Sequence, residues 1–248
     1  KAIIFSIKCS ENNMAQPYSS LFPVLENFLK ANTGNKKVLL NKLSSEQLKA
    51  LVRMFPGMDD LFDTKGLGDA HIVENLEVDL EGLIKQLLLN ISTVNKLSLI
   101  FDDFQWINEN TLKLIFSLKK EGQNIFVLCG LRNNAAVLEN ADYPVNRLKD
   151  ALAENCDEEI VLKPLTLRGT GEMISSILLT MEMSQALDSL IYKVTKGNYL
   201  FVEELLKFLI QKGFIYYHKG NWGKIEIQEQ DIPHTLEEVI LERFRGLD

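Results

Sequence analysis

The sequence predicts an α/β layer fold: a parallel sheet flanked by helices, followed by a smaller helical unit with a β-hairpin. Three observations lead there. Four short apolar runs, AIIFSI (residues 2–7), LSLIF (97–101), IFVLCGL (125–131) and EIVLK (159–163), are nearly continuous in apolar character. Such runs suit parallel strands buried on both faces better than half-exposed ones, which alternate. Longer helical patterns separate the runs, as an α/β order requires. Beyond Lys163 helical patterns follow one another without further strands of that kind.

AIIFSI opens the chain as the first strand. In KLSSEQLKALVRMF (residues 42–55), Ser44 is a favourable N-cap and Gln47 completes a capping box. Leu43 and Leu48 then take the two positions of a hydrophobic staple. ENLEVDLEGLIKQLLLNI (74–91) is an amphipathic helix leading into the second strand, LSLIF. Asn108 can cap ENTLKLIFSLKK (109–120), whose lysines fall in the last turn, where the helix dipole favours cations. IFVLCGL and EIVLK are the third and fourth strands. Helical patterns then cover residues 169–181, 185–195 and 199–212. FIYYHKGNWGKIEI (214–227) reads as a hairpin turning near Gly220, and a last helix begins after IPHT (232–235). The boundary falls near Pro164, giving domains 1–164 and 165–248. No Gly/Ser linker separates them, so contact between them is expected.

Composition excludes several classes. The 248 residues are 46% hydrophobic and 25% charged, as in an ordinary globular protein. A net charge of −7 argues against a surface that coats nucleic acid. Cys9, Cys129 and Cys156 form no CxxC pair, and His71, His218 and His234 are scattered. Neither a disulfide framework nor a histidine metal site is indicated, which suits a cytoplasmic protein. No apolar run reaches the roughly 18 residues that span a bilayer.

The chemistry concentrates in LIFDDFQWIN (residues 99–108), where an apolar run stops at Asp102 and Asp103. Ligands of open α/β sheets bind beyond the carboxyl ends of the strands. Two carboxylates there need water, donors or a cation to satisfy them. Mg²⁺ is a natural partner, because it takes one or two carboxylates together with waters and substrate phosphates. The plainer alternative is a pair of acids that ends a strand and makes turn hydrogen bonds.

LIFDDFQWIN closely resembles the Walker B segment of the STAND-type P-loop ATPases. Modules of this AAA-like kind occur in large bacterial signalling kinases, LuxR-type regulators and soluble nucleotide cyclases. Four further segments are similar to family segments, in the same order. AQPYSSLFPVL (15–25) resembles the Pro-Tyr segment, and VLCGLR (127–132) the sensor 1 strand. TKGNYLFVEELLKFL (195–209) resembles the Gly-Asn-Pro helix, and IPHTLEEVILERFRGLD (232–248) the approach to a winged helix. The resemblance implies ATP and Mg²⁺ as cofactors. Asp102 would hold the metal through water, Asp103 would polarise the attacking water, and Arg132 would sense the γ-phosphate. Read from the residues alone, Arg132 is a strand-end arginine paired with a nearby acid. Trp106 reads as core under the following helix, and Gln105 has no argued role. Tyr199 stands where the family has proline, and Asn108 where it has an acid.

The phosphate loop is missing: G-x-x-x-x-G-K-[ST] occurs nowhere, and neither NTGNKK nor TKGLGDA can replace it. The expectation is that this loop, with the strand before it and the helix after it, lies upstream of Lys1 in a longer parent. The fold class is then a P-loop core incomplete at its N-terminus, followed by a helical lid. That missing strand belongs between VLCGL and EIVLK, so both should show unpaired edges. The leading expectation is an ATP-driven regulatory switch in a signalling protein, with this chain alone inactive. Its partners would be other domains of the same polypeptide, or an oligomer. The alternative is a non-catalytic interaction or scaffolding module. A DNA-binding ATPase of the origin-recognition kind is a third reading, disfavoured by the acidic balance.

Overall fold

The structure, a computed structural model, describes residues 2–55, 79–121, 124–132, 145–179, 185–225, 227 and 232–245. The chain divides into two compact units, Lys1–Asp157 and Glu158–Asp248.

The first unit is built on three parallel strands in the order β1-β2-β3: β1 Ala2–Lys8, β2 Lys96–Asp102 and β3 Ile125–Cys129. The register sets Ile7 beside Phe101 and Phe101 beside Cys129. Residues two apart share a face. Phe5, Ile7, Leu97, Leu99 and Phe101 are buried on one such face. They join a core with Leu25 and Leu29 of α1 (Phe22–Ala31), Leu51 of α3 (Ser45–Met54) and Leu87 of α4 (Leu80–Val94). The short α2 (Lys36–Leu39) adds Leu39, α5 (Glu109–Glu121) adds Leu114 and Leu118, and α6 (Val145–Asn155) adds Leu148.

The opposite face departs from the sequence expectation. Ile4, Phe126 and Leu128 are exposed there, at 63%, 58% and 47%. No strand pairs with the outer edge of β3 among the described residues. The continuous apolar pattern anticipates a second covering layer, and the described residues of this unit do not supply one.

Local signals in the sequence appear as local structure. Ser44 Oγ accepts from the Gln47 N–H at 3.2 Å, and Gln47 Oε1 accepts from the Ser44 N–H at 3.0 Å. Both halves of the capping box are therefore made at the start of α3. A Ser44→Ala variant should lose about 1 kcal/mol. A urea melt would read this, and an unchanged midpoint would show that the box adds nothing net. Asp79 Oδ1 caps α4 by accepting from the Gly82 N–H at 2.9 Å. The forecast extension of that helix over residues 74–78 lies outside the described residues. Asn108 Oδ1 caps α5 through the Asn110 N–H at 2.9 Å.

The second unit contains α7 (Leu167–Leu178), α8 (Gln185–Thr195), α9 (Tyr199–Gln211), a hairpin of β4 (Ile215–His218) and β5 (Asn221–Lys224), and α10 (Leu236–Arg245). Ile174, Ile191, Val202, Leu205, Leu209, Ile215 and Val239 form its core. The hairpin turns on Lys219 and Gly220, both at positive φ (51° and 89°). Two left-handed residues are what a tight primed turn needs. Trp222 Nε1–H donates to the Leu178 carbonyl at 2.6 Å, which ties the hairpin to the end of α7.

Residues 159–163 form neither strand nor helix. Ile160, Val161 and Leu162 are exposed, Leu162 at 90%. The fourth predicted strand is therefore not part of the sheet. An apolar β-branched run becomes a strand only when a neighbouring strand takes its backbone groups. The division into units places this run with the second one, whereas the sequence boundary near Pro164 placed it with the first. Among the described residues, no helix is long and apolar enough to cross a membrane.

Candidate functional site

Three strand ends meet on the carboxyl side of the sheet. β2 is the middle strand, and Asp102 is its last residue. Cys9, just past β1, donates its N–H to the Asp102 carbonyl at 3.0 Å. On the other side, the Gly130 N–H donates to the Phe101 carbonyl, and the Gly130 carbonyl accepts from Phe104, both at 2.8 Å. The turn after β2 is thus stitched to both neighbours.

Asp103 shapes that turn. It takes φ 52°, ψ 42°, the left-handed region, and leads into a single 3-10 turn over Phe104–Trp106. Aspartate is among the few non-glycine residues that enter this region readily. Phe104 is fully buried and packs edge-on against Phe101, with ring centroids 5.4 Å apart. Trp106 is half-buried against the same core.

The carboxylates have different surroundings. Asp102 is exposed, and its Oδ1 accepts the Asp103 N–H at 3.0 Å. Asp103 is mostly buried, with 16% of its side chain exposed, and its Oδ1 lies 3.1 Å from Arg132 Nε. Arg132 follows β3 and keeps 65% of its side chain exposed. Gln105 completes the group. Its Nε2–H donates to Asp103 Oδ1 at 3.1 Å, and its Oε1 accepts the Arg132 backbone N–H at 3.2 Å. Lys8, the register partner of Asp102, brings a second cation to these strand ends. Burial pushes the Cys9 thiol up to about 12, and the negative charges of Asp103 and Asp102 add to the shift.

The Pro-Tyr segment flanks this end. Tyr18 has φ 62°, donates its N–H to Thr111 Oγ1 at 3.0 Å, and reaches Glu81 with its hydroxyl at 3.3 Å. Burial, and then the Glu81 charge, push that hydroxyl up to about 12. Asn108 Nδ2–H donates to the Met14 carbonyl, so the residue that caps α5 also holds this loop.

The structure brings Asp103 and Arg132 into contact and leaves Asp102 open beside them. Sequence reasoning missed Gln105 and Lys8. Gln105 had a readable signal: a glutamine between Phe104 and Trp106, in an apolar setting, needs partners for its amide. A separate concavity of about 740 Å³ lies in the second unit, lined by Arg168, Glu172, Gln185 and Asp188. None of its lining residues is among those the sequence singled out for chemistry. The Asp102 carboxylate fits a hydrated Mg²⁺, since it is exposed and accepts only its neighbour's N–H among the described residues. The sequence contains no G-x-x-x-x-G-K-[ST] loop to accompany it. No protein-family model, curated protein or solved structure matches the chain.

Proposed function

We propose that this chain is the Walker B and sensor 1 part of a STAND-type P-loop ATPase module, acting as an ATP-controlled switch within a larger signalling protein. One observation carries the reading most. Asp102, Asp103 and Arg132 gather at the carboxyl ends of adjacent parallel strands, where α/β sheets bind ligands. In this reading the outer edge of β3, unpaired among the described residues, accepts a strand whose following loop and helix hold the phosphates. Bound Mg²⁺ would supply charge neutralisation at the β- and γ-phosphates. Asp102 would hold the metal's water shell. Asp103 orients a water toward the γ-phosphorus and takes up its proton as the water oxygen bonds to that phosphorus and the bond to the bridging oxygen breaks, releasing ADP and phosphate. Arg132 leaves Asp103 for the γ-phosphate, so its ion pair with that carboxylate is exchanged for one with the nucleotide.

The test is Asp103→Asn in a polypeptide that joins this chain to a phosphate loop. Hydrolysis should fall on the order of a hundredfold, while Mg-ATP affinity changes little. Unchanged hydrolysis would remove Asp103 from the chemistry. Wild-type protein that neither binds nor hydrolyses ATP would favour the alternative, a non-catalytic interaction module.

A further inference from the structure

We infer that Gln105 is a positioning residue that clamps the Asp103 carboxylate to the Arg132 backbone, keeping two strand ends in register when the arginine side chain moves. The catalytic half of this inference rests on the ATPase reading, and the geometric half does not.

Gln105 is 1% exposed, the most buried polar group near the aspartates. A buried amide must be matched at both ends, or it destabilises the fold. Here the ends are matched by different partners. The Nε2–H goes to Asp103 Oδ1 at 3.1 Å, and Oε1 receives the Arg132 N–H at 3.2 Å. The orientation of the amide follows from chemistry: a backbone N–H only donates, and an ionised carboxylate only accepts. Flipping the amide would break both bonds. Its backbone is fixed as well, because the preceding Phe104 N–H is bonded to the Gly130 carbonyl at 2.8 Å.

The ion pair cannot do this work alone. Arg132 is 65% exposed on its side chain, and exposed pairs contribute little and are screened by salt. A phosphate that captures the guanidinium removes that contact from Asp103. The two Gln105 bonds survive the exchange, since neither uses the guanidinium. Asp103 then keeps its aim, and the base of the Arg132 side chain stays where it was. A residue that only filled space would not show this dependence on its two polar atoms.

Two substitutions separate the roles. Gln105→Met keeps length and burial but loses both bonds. Gln105→Glu keeps an acceptor for the Arg132 N–H and sets a second carboxylate against Asp103. In the 15N-labelled 248-residue chain, Gln105→Met should speed exchange of the Arg132 amide about tenfold, the loss of one hydrogen bond, with the Leu99 and Phe101 amides unchanged. Gln105→Glu should retain the protection of Arg132. Equal Arg132 exchange in wild type and Gln105→Met would overturn the clamp, whatever nucleotide does. In the protein joined to a phosphate loop, both variants should lower kcat roughly tenfold with little change in KM. Wild-type kcat in both would overturn the positioning role. Wild-type protein without turnover would instead overturn the ATPase reading and the catalytic half, a result distinct from the exchange measurement.

Discussion

A Gly197→Ala variant is expected to destabilise the second unit by roughly 2–5 kcal/mol, the sum of a left-handed backbone penalty and a steric clash. Gly197 has φ +76° and sits between α8 and α9. A Cβ there would lie 2.0 Å from the Leu165 carbonyl oxygen and 2.9 Å from the Leu165 carbonyl carbon and nitrogen. These are backbone atoms, so no side chain can swing aside. Nor can Leu165 retreat freely, because its N–H donates to the Gly197 carbonyl at 2.8 Å. Gly213 is the control. It has nearly the same φ, +77°, but nothing lies within 4 Å of its missing Cβ. Gly213→Ala should therefore lose only the backbone part, about 1–2 kcal/mol. Urea melts of both variants give the comparison. Equal losses would mean that the approach to Leu165 is not what requires glycine.

That position shows what a sequence reveals and what it hides. The sequence placed a helical pattern over residues 199–212, and Asn198 caps that helix, α9, accepting the Phe201 N–H at 3.0 Å. The partner that makes glycine necessary, Leu165, lies 32 residues earlier and carries no signal of its own. The same division holds in the first unit. The capping box at Ser44, the cap at Asn108 and three of the four strands come from contacts within a few residues, or from period and apolarity. Residues 159–163 have the right composition for a strand but no neighbour to pair with among the described residues, and pairing is a non-local condition.

The candidate site follows this rule too. Two acids after an apolar run placed Asp102 and Asp103 at a strand end. The left-handed turn at Asp103 and the route from Gln105 to Arg132 were not readable. The bond between those two residues spans 27 positions of sequence and depends on the β2–β3 register. Local pattern located the site, and strand pairing decided which side chains share it.

The 248-residue chain by itself is expected to bind Mg-ATP several orders of magnitude more weakly than a complete P-loop ATPase, and not to hydrolyse it. The deficit is electrostatic. Triphosphate binding draws on a ring of backbone N–H groups, a helix N-terminus and a lysine. The sequence contains no G-x-x-x-x-G-K-[ST] loop to provide them. At the strand ends Arg132 is already 3.1 Å from Asp103, and Lys8 stands beside Asp102 in register. The formal charges of these two cations and two acids cancel, so no net positive charge is left there for phosphate. Capturing Arg132 also means separating it from Asp103. Three missing charge-assisted hydrogen bonds, at ~1.5–3 kcal/mol each, weaken affinity by roughly three to six orders of magnitude. Calorimetric titration of the chain with Mg-ATP should therefore give no measurable heat at micromolar concentrations. Micromolar binding would locate the phosphate site elsewhere, and the roles assigned to Asp102, Asp103 and Arg132 would have to be redrawn around a different loop.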